Sequence, residues 1–185
     1  MTTDTPSAAR GIRRLEAVSD AQAAALSDLL VDCVEGGASV SFMHPLPRAH
    51  AMEFWREVAR GVAQGERALL IAEDVEGIVG TVQLVLAQPD NQPHRADLAK
   101  MLVHRRARRQ GLGEALMRAA EQTARDCGKS LLVLDTSSDS AERLYARLGW
   151  ERVGAIPGYA LLPRGGLCAT TYFYRDLRAE GIESR

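Results

Sequence analysis

The chain has 185 residues, 46% of them hydrophobic and 25% charged, with a formal net charge of −1. That composition describes one ordinary globular domain long enough to bury a core, and excludes a disordered chain. No apolar run reaches membrane-spanning length, and the overall field attracts neither nucleic acid nor an anionic membrane.

The polar start, Met1-Thr2-Thr3-Asp4-Thr5-Pro6-Ser7, lacks the apolar region of a signal peptide, so residues 1–9 are expected to fray and the protein to be cytoplasmic. Cys33, Cys127 and Cys168 are widely spaced and form no Cys-x-x-Cys pair. They suit free thiols in a reducing compartment and speak against a zinc site. His44, His50, His94 and His104 likewise have no metal-ligand spacing.

Gly11 to Leu15 reads as a short strand. Ser19-Asp20-Ala21-Gln22 is a capping box, after which Leu26, Leu29, Leu30, Cys33 and Val34 share a helical face that Gly36-Gly37 ends. The connection from Ala38 to Leu46 is unusually apolar, with Val40, Phe42 and Met43. Pro47 opens a second helix, with Ala51, Phe54, Trp55, Val58 and Val62 as its stripe.

Ala68–Glu73 and Ile78–Leu86 form a hairpin about Glu76-Gly77. After a Pro-rich loop, Arg95–Val103 is another strand. A helix then carries Leu112, Leu116, Ala119, Ala120 and Thr123 up to Gly128. Leu131–Asp135 is a nearly all-apolar strand, expected to be covered on both faces. Ala141, Leu144, Tyr145 and Leu148 mark a short helix, and strands near Trp150–Val153 and Thr170–Tyr174 close the chain. Strands alternating with helices predict an α/β domain on a mixed sheet over residues 10–177, with 178–185 as a tail.

The richest stretch is Leu102-Val103-His104-Arg105-Arg106-Ala107-Arg108-Arg109-Gln110-Gly111-Leu112-Gly113. A strand end, a glycine turn and a helix start make a phosphate cradle: first-turn N–H groups are unpaired, the helix dipole adds positive charge, and arginines supply charge-assisted bonds. No Gly-Lys-Ser/Thr follows, which excludes a nucleoside-triphosphate loop. A dinucleotide fingerprint finds an echo in Asp135. Against it stand Leu116 where the third glycine belongs, the arginines between strand and glycine, and the short chain remaining.

Arg108-Arg109-Gln110-Gly111-Leu112-Gly113 resembles the coenzyme-A signature Arg/Gln-x-x-Gly-x-Gly/Ala of the GCN5-related N-acetyltransferase (GNAT) superfamily. Met101-Leu102-Val103 resembles the strand that holds the pantetheine arm, and Leu144-Tyr145-Ala146-Arg147-Leu148-Gly149-Trp150 the family's Leu-Tyr-x-x-x-Gly-Phe pattern. Where many members carry Asn seven residues before the Tyr, this chain has Ser138. Within the superfamily, Gly36-Gly37-Ala38-Ser39-Val40, Phe42-Met43, Leu134-Asp135-Thr136 and Pro157-Gly158-Tyr159 look most like the tabtoxin-resistance acetyltransferases.

The resemblance implies a mostly antiparallel sheet of six to seven strands, flanked by about four helices and splayed between the fourth and fifth strands. It implies acetyl-CoA as cosubstrate, no metal, and direct transfer to a primary amine. The implied coenzyme contacts are Met101, Leu102, Val103, Arg108, Arg109, Gln110, Gly111, Leu112, Gly113, Glu114, Ser138 and Tyr145. A fourth-strand N–H near Leu102 or Val103 would polarise the carbonyl, and Tyr145 would be the general acid for the departing thiolate.

The base is open between Asp97, ranked first, Asp135, Glu35 and water. By the same analogy the acceptor site draws on Glu35, Ser39, Phe42, Met43, Asp135 and Tyr159. The expected acceptor is a small amino-acid-like toxin or antibiotic, of which tabtoxinine-β-lactam is the type. The alternatives are a protein N-terminus or lysine as acceptor, or a non-catalytic acyl-CoA-binding module. Nucleic-acid and membrane partners are not expected. The apolar loop residues leave a homodimer open.

Overall fold

The computed structural model describes residues 11–178, so the expectations for residues 1–9 and for the tail beyond 178 lie outside the described residues. Seven strands form one sheet: β1 (Gly11–Leu15), β2 (Arg67–Asp74), β3 (Gly77–Val85), β4 (Arg95–Val103), β5 (Leu131–Thr136), β6 (Glu151–Leu161) and β7 (Leu167–Asp176). Their spatial order is β1-β2-β3-β4-β5-β7-β6, and every neighbouring pair is antiparallel except β4–β5. The helices are α1 (Asp20–Glu35), α2 (Arg48–Ala63), α3 (Leu112–Asp126) and α4 (Asp139–Arg147). Because β4 and β5 run parallel, their connection must cross the sheet, and α3 is that crossover. This is the mixed α/β GNAT fold that the motifs imply.

Each face of the sheet carries its own core. On one, Leu26, Leu29, Leu30 and Val34 of α1 and Trp55 and Val58 of α2 close over Leu69, Ile71 and Leu102. On the other, Leu112, Leu116, Met117 and Ala120 of α3 pack on Leu70, Val79, Leu84 and Leu132, together with Tyr145 and Trp150. The capping box starts α1, with Gln22 N donating to Ser19 Oγ at 3.2 Å and Ser19 N donating to Gln22 Oε1 at 2.9 Å. Pro47 is the N-cap of α2 rather than its first residue. A buried bond from Trp150 Nε1 to Glu121 Oε1 (2.7 Å) ties α3 to the start of β6.

Three features differ from the sequence reading. β6 runs on to Leu161, so Pro157-Gly158-Tyr159 lies within a strand. It can do so because β6 is the sheet edge, where proline's missing N–H costs no ladder bond, and the register shifts between Ile156 and Ala160. β5 is fully covered only at Leu132 and Leu134. Finally, β4 holds an extra residue: Thr81 pairs with Leu102 but Gln83 with Ala99. This bulge leaves Lys100 and Met101 without register partners on β3.

Candidate active site

β4 and β5 pair only from Arg95–Leu131 to Asp97–Val133. Beyond Asp97 they part, and a cleft of about 1060 Å³ opens between them. The left-handed backbone positions among the described non-glycine residues are Ser41 (φ 75°), Lys100 (φ 49°) and Arg109 (φ 58°), and all three line this cleft. Such conformations are uncommon for L side chains and concentrate where a site demands them.

One side is the arginine-glycine turn. Gly111 is the N-cap of α3 with φ 77°, a geometry glycine adopts without strain, and no side chain caps the helix. A Cβ at Gly113 would stand 3.2 Å from Leu144 Cδ2, so glycine lets α4 approach α3. The N–H groups of Leu112, Gly113 and Glu114 fall in the first turn, where the helix offers no acceptor.

The four arginines divide. Arg105 is held by Asp32, through its Nε (2.8 Å) and its amide (2.9 Å), and reaches Glu35 at 3.4 Å. Arg106 is paired with Asp74. Burial alone would raise the Asp32 carboxyl, but the bonds from the Arg105 amide and guanidinium, with the charges of His104 and Arg105, hold it below its ordinary value. Arg108 donates through Nε to the Val103 carbonyl at 3.2 Å, and Arg109 makes no hydrogen bond or ion pair to a described residue.

Tyr145 stands at the junction of the two sides. Its ring packs between Trp150 and Phe173 at centroid distances of 6.0 and 5.7 Å, while its hydroxyl bonds to no described residue. Burial, helped by the Asp135 charge, pushes the phenol well above its ordinary value of 10.0. Cys33 also lines the cleft, but burial pushes its thiol up to about 11, and it is engaged with the Val103 carbonyl at 3.7 Å.

The other side is roofed by the α1–α2 connection. Ser39 Oγ lies 3.5 Å from the Leu161 carbonyl, His44 N donates to the Pro163 carbonyl at 2.8 Å, and Arg164 donates to the Glu35 carbonyl at 3.3 Å. These bonds tie the loop to the turn between β6 and β7. Beneath the roof, Asp135 accepts from Thr170 Oγ1 at 2.7 Å. Tyr159 and Tyr172 meet hydroxyl to hydroxyl at 2.9 Å, and that bond pushes the Tyr172 phenol up to about 12.

The expected coenzyme contacts Met101, Leu102, Val103, Arg108, Arg109, Gly111, Leu112, Gly113, Glu114, Ser138 and Tyr145 all line this cleft, as do Ser39, Phe42, Met43, Asp135 and Tyr159. Ser138 also caps α4, accepting from Ala141 N at 3.4 Å. Three expected residues fall outside the lining. Gln110 turns back to the Arg106 carbonyl (3.1 Å), Glu35 pairs with Arg105, and Asp97 lies in the zipped part of the sheet, bound to Arg95 (3.3 Å) and Gln88 (3.2 Å). Lys100, Arg143, Thr170 and Cys33 line the cleft without any motif having marked them. Thr170 sits on a strand that the sequence did place. Lys100 was hidden because the bulge breaks the alternation of β4.

The family model described as acetyltransferase (GNAT) family matches residues 11–150. Human N-acetyltransferase 8B is 41% identical over 87 residues, covering 45% of this chain and 38% of its own length. The chain thus spans less than two fifths of that curated relative.

Ribosomal-protein-alanine N-acetyltransferase from Brucella melitensis superposes with a TM-score of 0.76 at 19% identity, over 90% of this chain and 99% of that one. A phosphinothricin acetyltransferase from Sinorhizobium meliloti, solved in complex with acetyl-CoA, gives 0.73 at 16%, over 90% and 88%. At these identities the structural likeness is one of fold. The match over residues 11–150 goes further: the chain belongs to the acetyltransferase (GNAT) family, whose enzymes draw an acetyl group from acetyl-CoA.

Proposed function

We propose that this protein transfers the acetyl group of acetyl-CoA directly to the primary amine of a small, amino-acid-like molecule. The arginine-glycine side fits the coenzyme: free first-turn amides of Leu112, Gly113 and Glu114 suit a pyrophosphate, and Arg109 and Arg143 are cationic side chains without described partners beside it. Acetyl-CoA would supply an activated thioester, and the stretch of β4 just past the bulge, Leu102 and Val103, would lay a backbone N–H against its carbonyl.

Asp135, rather than Asp97, is the carboxylate we place against the acceptor ammonium, because it is the one that lines the cleft. It takes the ammonium proton, the amine nitrogen bonds to the acetyl carbon as the carbon–sulfur bond breaks, and Tyr145 donates its proton to the departing thiolate. The raised Tyr145 pKa keeps that proton in place at neutral pH. Cys33, with its thiol pushed up, is a poor nucleophile, which supports direct transfer over an acyl-cysteine.

The observation that carries the small acceptor is the roof. The Ser39–Leu161 and His44–Pro163 bonds close the acceptor side where a peptide would need an open groove. Toxins of the tabtoxinine-β-lactam kind are the finer candidates within that class. The test pairs calorimetric acetyl-CoA binding with a thiol-release screen of small amines against peptides. Turnover with small amines supports the proposal. Turnover with peptides alone replaces the acceptor class, and tight binding with no turnover makes the protein an acyl-CoA-binding module.

A further inference from the structure

Lys100 lies on β4 where uninterrupted alternation would place it beside Ala96 and Leu98, in the core under α3. The bulge reverses this. Past it, Met101 and Val103 pack towards the α3 core, while Leu102 joins the core under α1 and α2. A one-residue insertion turns the following side chains to opposite faces, and Lys100 is delivered to the roofed side.

There its Nζ donates to Ser41 Oγ at 3.1 Å and sits 5.6 Å over the Phe54 ring. Two left-handed residues, Lys100 and Ser41, therefore meet through their side chains. An ammonium has three donors, and Ser41 takes one. Among the described residues no carboxylate lies within ion-pair distance of Nζ. Burial holds the ammonium below its ordinary 10.5, while the Asp135 charge pulls it back up and Arg67 pushes it down. A desolvated cation with free donors facing a cleft is left short of an anion. The apolar side chains of α3 pack on the opposite face of the sheet from Phe54, so a phosphate at the start of α3 lies on the other side from this ammonium.

We infer that Lys100 binds an anionic oxygen group on the acceptor, a carboxylate or phosphonate, while Asp135 meets its ammonium, so that the acceptor is a compact zwitterion. This rests on the acetyl-transfer reading of the cleft. The test compares small amino acids with their carboxamides and with matching aminophosphonates, by thiol release from acetyl-CoA, alongside calorimetric acetyl-CoA binding.

The acids are expected to exceed their amides by about ten-fold or more in kcat/KM. Lys100→Met is expected to bring that ratio to about one through the acceptor KM, and Lys100→Arg to restore much of it. Aminophosphonates surpassing the carboxylates would identify phosphonate as the anion. A ratio near one in the wild type, or one unmoved by Lys100→Met, overturns the inference and leaves acetyl transfer standing. Failure of every amine in the panel overturns the underlying reading instead. Acetyl-CoA binding by Lys100→Met reports a folded variant, and should that binding be lost, the same ratio in Lys100→Gln decides.

Discussion

On one side of the cleft, Arg108, Arg109 and Gly111 to Glu114 come from one short run of chain that ends in the uncapped first turn of α3; on the other, Ser41, Lys100, Asp135, Tyr159 and Thr170 arrive from separate elements and present side chains. The first side depends on local geometry, a left-handed Gly111 and an uncapped helix turn. The second depends on how the α1–α2 loop, the β4 bulge and the β6–β7 pair come together. A backbone site recognises what all coenzyme molecules share. A side-chain site can be rebuilt for a new acceptor without touching the first. Tyr145, held by Trp150 and Phe173, is where the two must meet.

The largest expected effect lies at that meeting point. Tyr145→Phe keeps the ring packing and removes only the hydroxyl, so kcat is expected to fall about 100-fold or more while acetyl-CoA affinity changes little. Steady-state kinetics beside calorimetry checks this. Because the folded-state pKa is raised, the acid form persists as pH rises, and no Tyr145-dependent decline in turnover is expected below the ordinary phenol value of 10.0. A coupled loss of coenzyme binding would make Tyr145 part of the backbone side alone.

The next test separates backbone from side chain within the arginine-glycine side. Glu114 is in the first turn of α3 and its carboxylate pairs at the surface with Arg118 (3.0 Å) and Arg147 (3.8 Å). Glu114→Pro deletes an N–H from a first-turn position that tolerates proline, and should weaken acetyl-CoA binding about ten-fold. Glu114→Ala keeps the N–H, loses only exposed ion pairs, and should change that binding by less than about three-fold. Equal losses in the two variants would erase the contrast between the sides.

That contrast also governs what could be read from the chain. The turn was legible because its residues are contiguous: Gly111 and Gly113, the arginines and the stripe Leu112–Leu116 stand in one window. Tyr145 was legible through its motif, since its spacing from Ala141 and Leu148 alone describes a core residue. Lys100 was not, because a bulge is a property of the β3–β4 register; a lysine in phase with Ala96 and Leu98 breaks the alternation but does not fix where the strand slips. Asp97 and Glu35 were reasonable carboxylates near the right elements, but pairing with Arg95 and with Arg105 turned them away. The extension of β6 through Pro157 depended on its being the edge strand, which a sequence window cannot convey.

The smallest effect divides the arginines themselves. Arg105 and Arg106 look equivalent to Arg109 in sequence, yet Asp32 and Asp74 occupy them, and an exposed, unpaired Arg109 is left to face the cleft. Arg109→Gln should weaken acetyl-CoA binding about three-fold to ten-fold and make that binding less sensitive to salt, as expected when a screened charge contact is removed. Arg106→Gln should leave affinity within about two-fold but lower the melting temperature, because it removes the ion pair from Asp74, whose side chain is only 9% exposed. Titrations at two salt concentrations, with thermal melts, separate the outcomes. If Arg106→Gln instead weakened coenzyme binding while stability held, the ion pair with Asp74 would have to open to admit the ligand, and the turn would be a moving part rather than a fixed cradle.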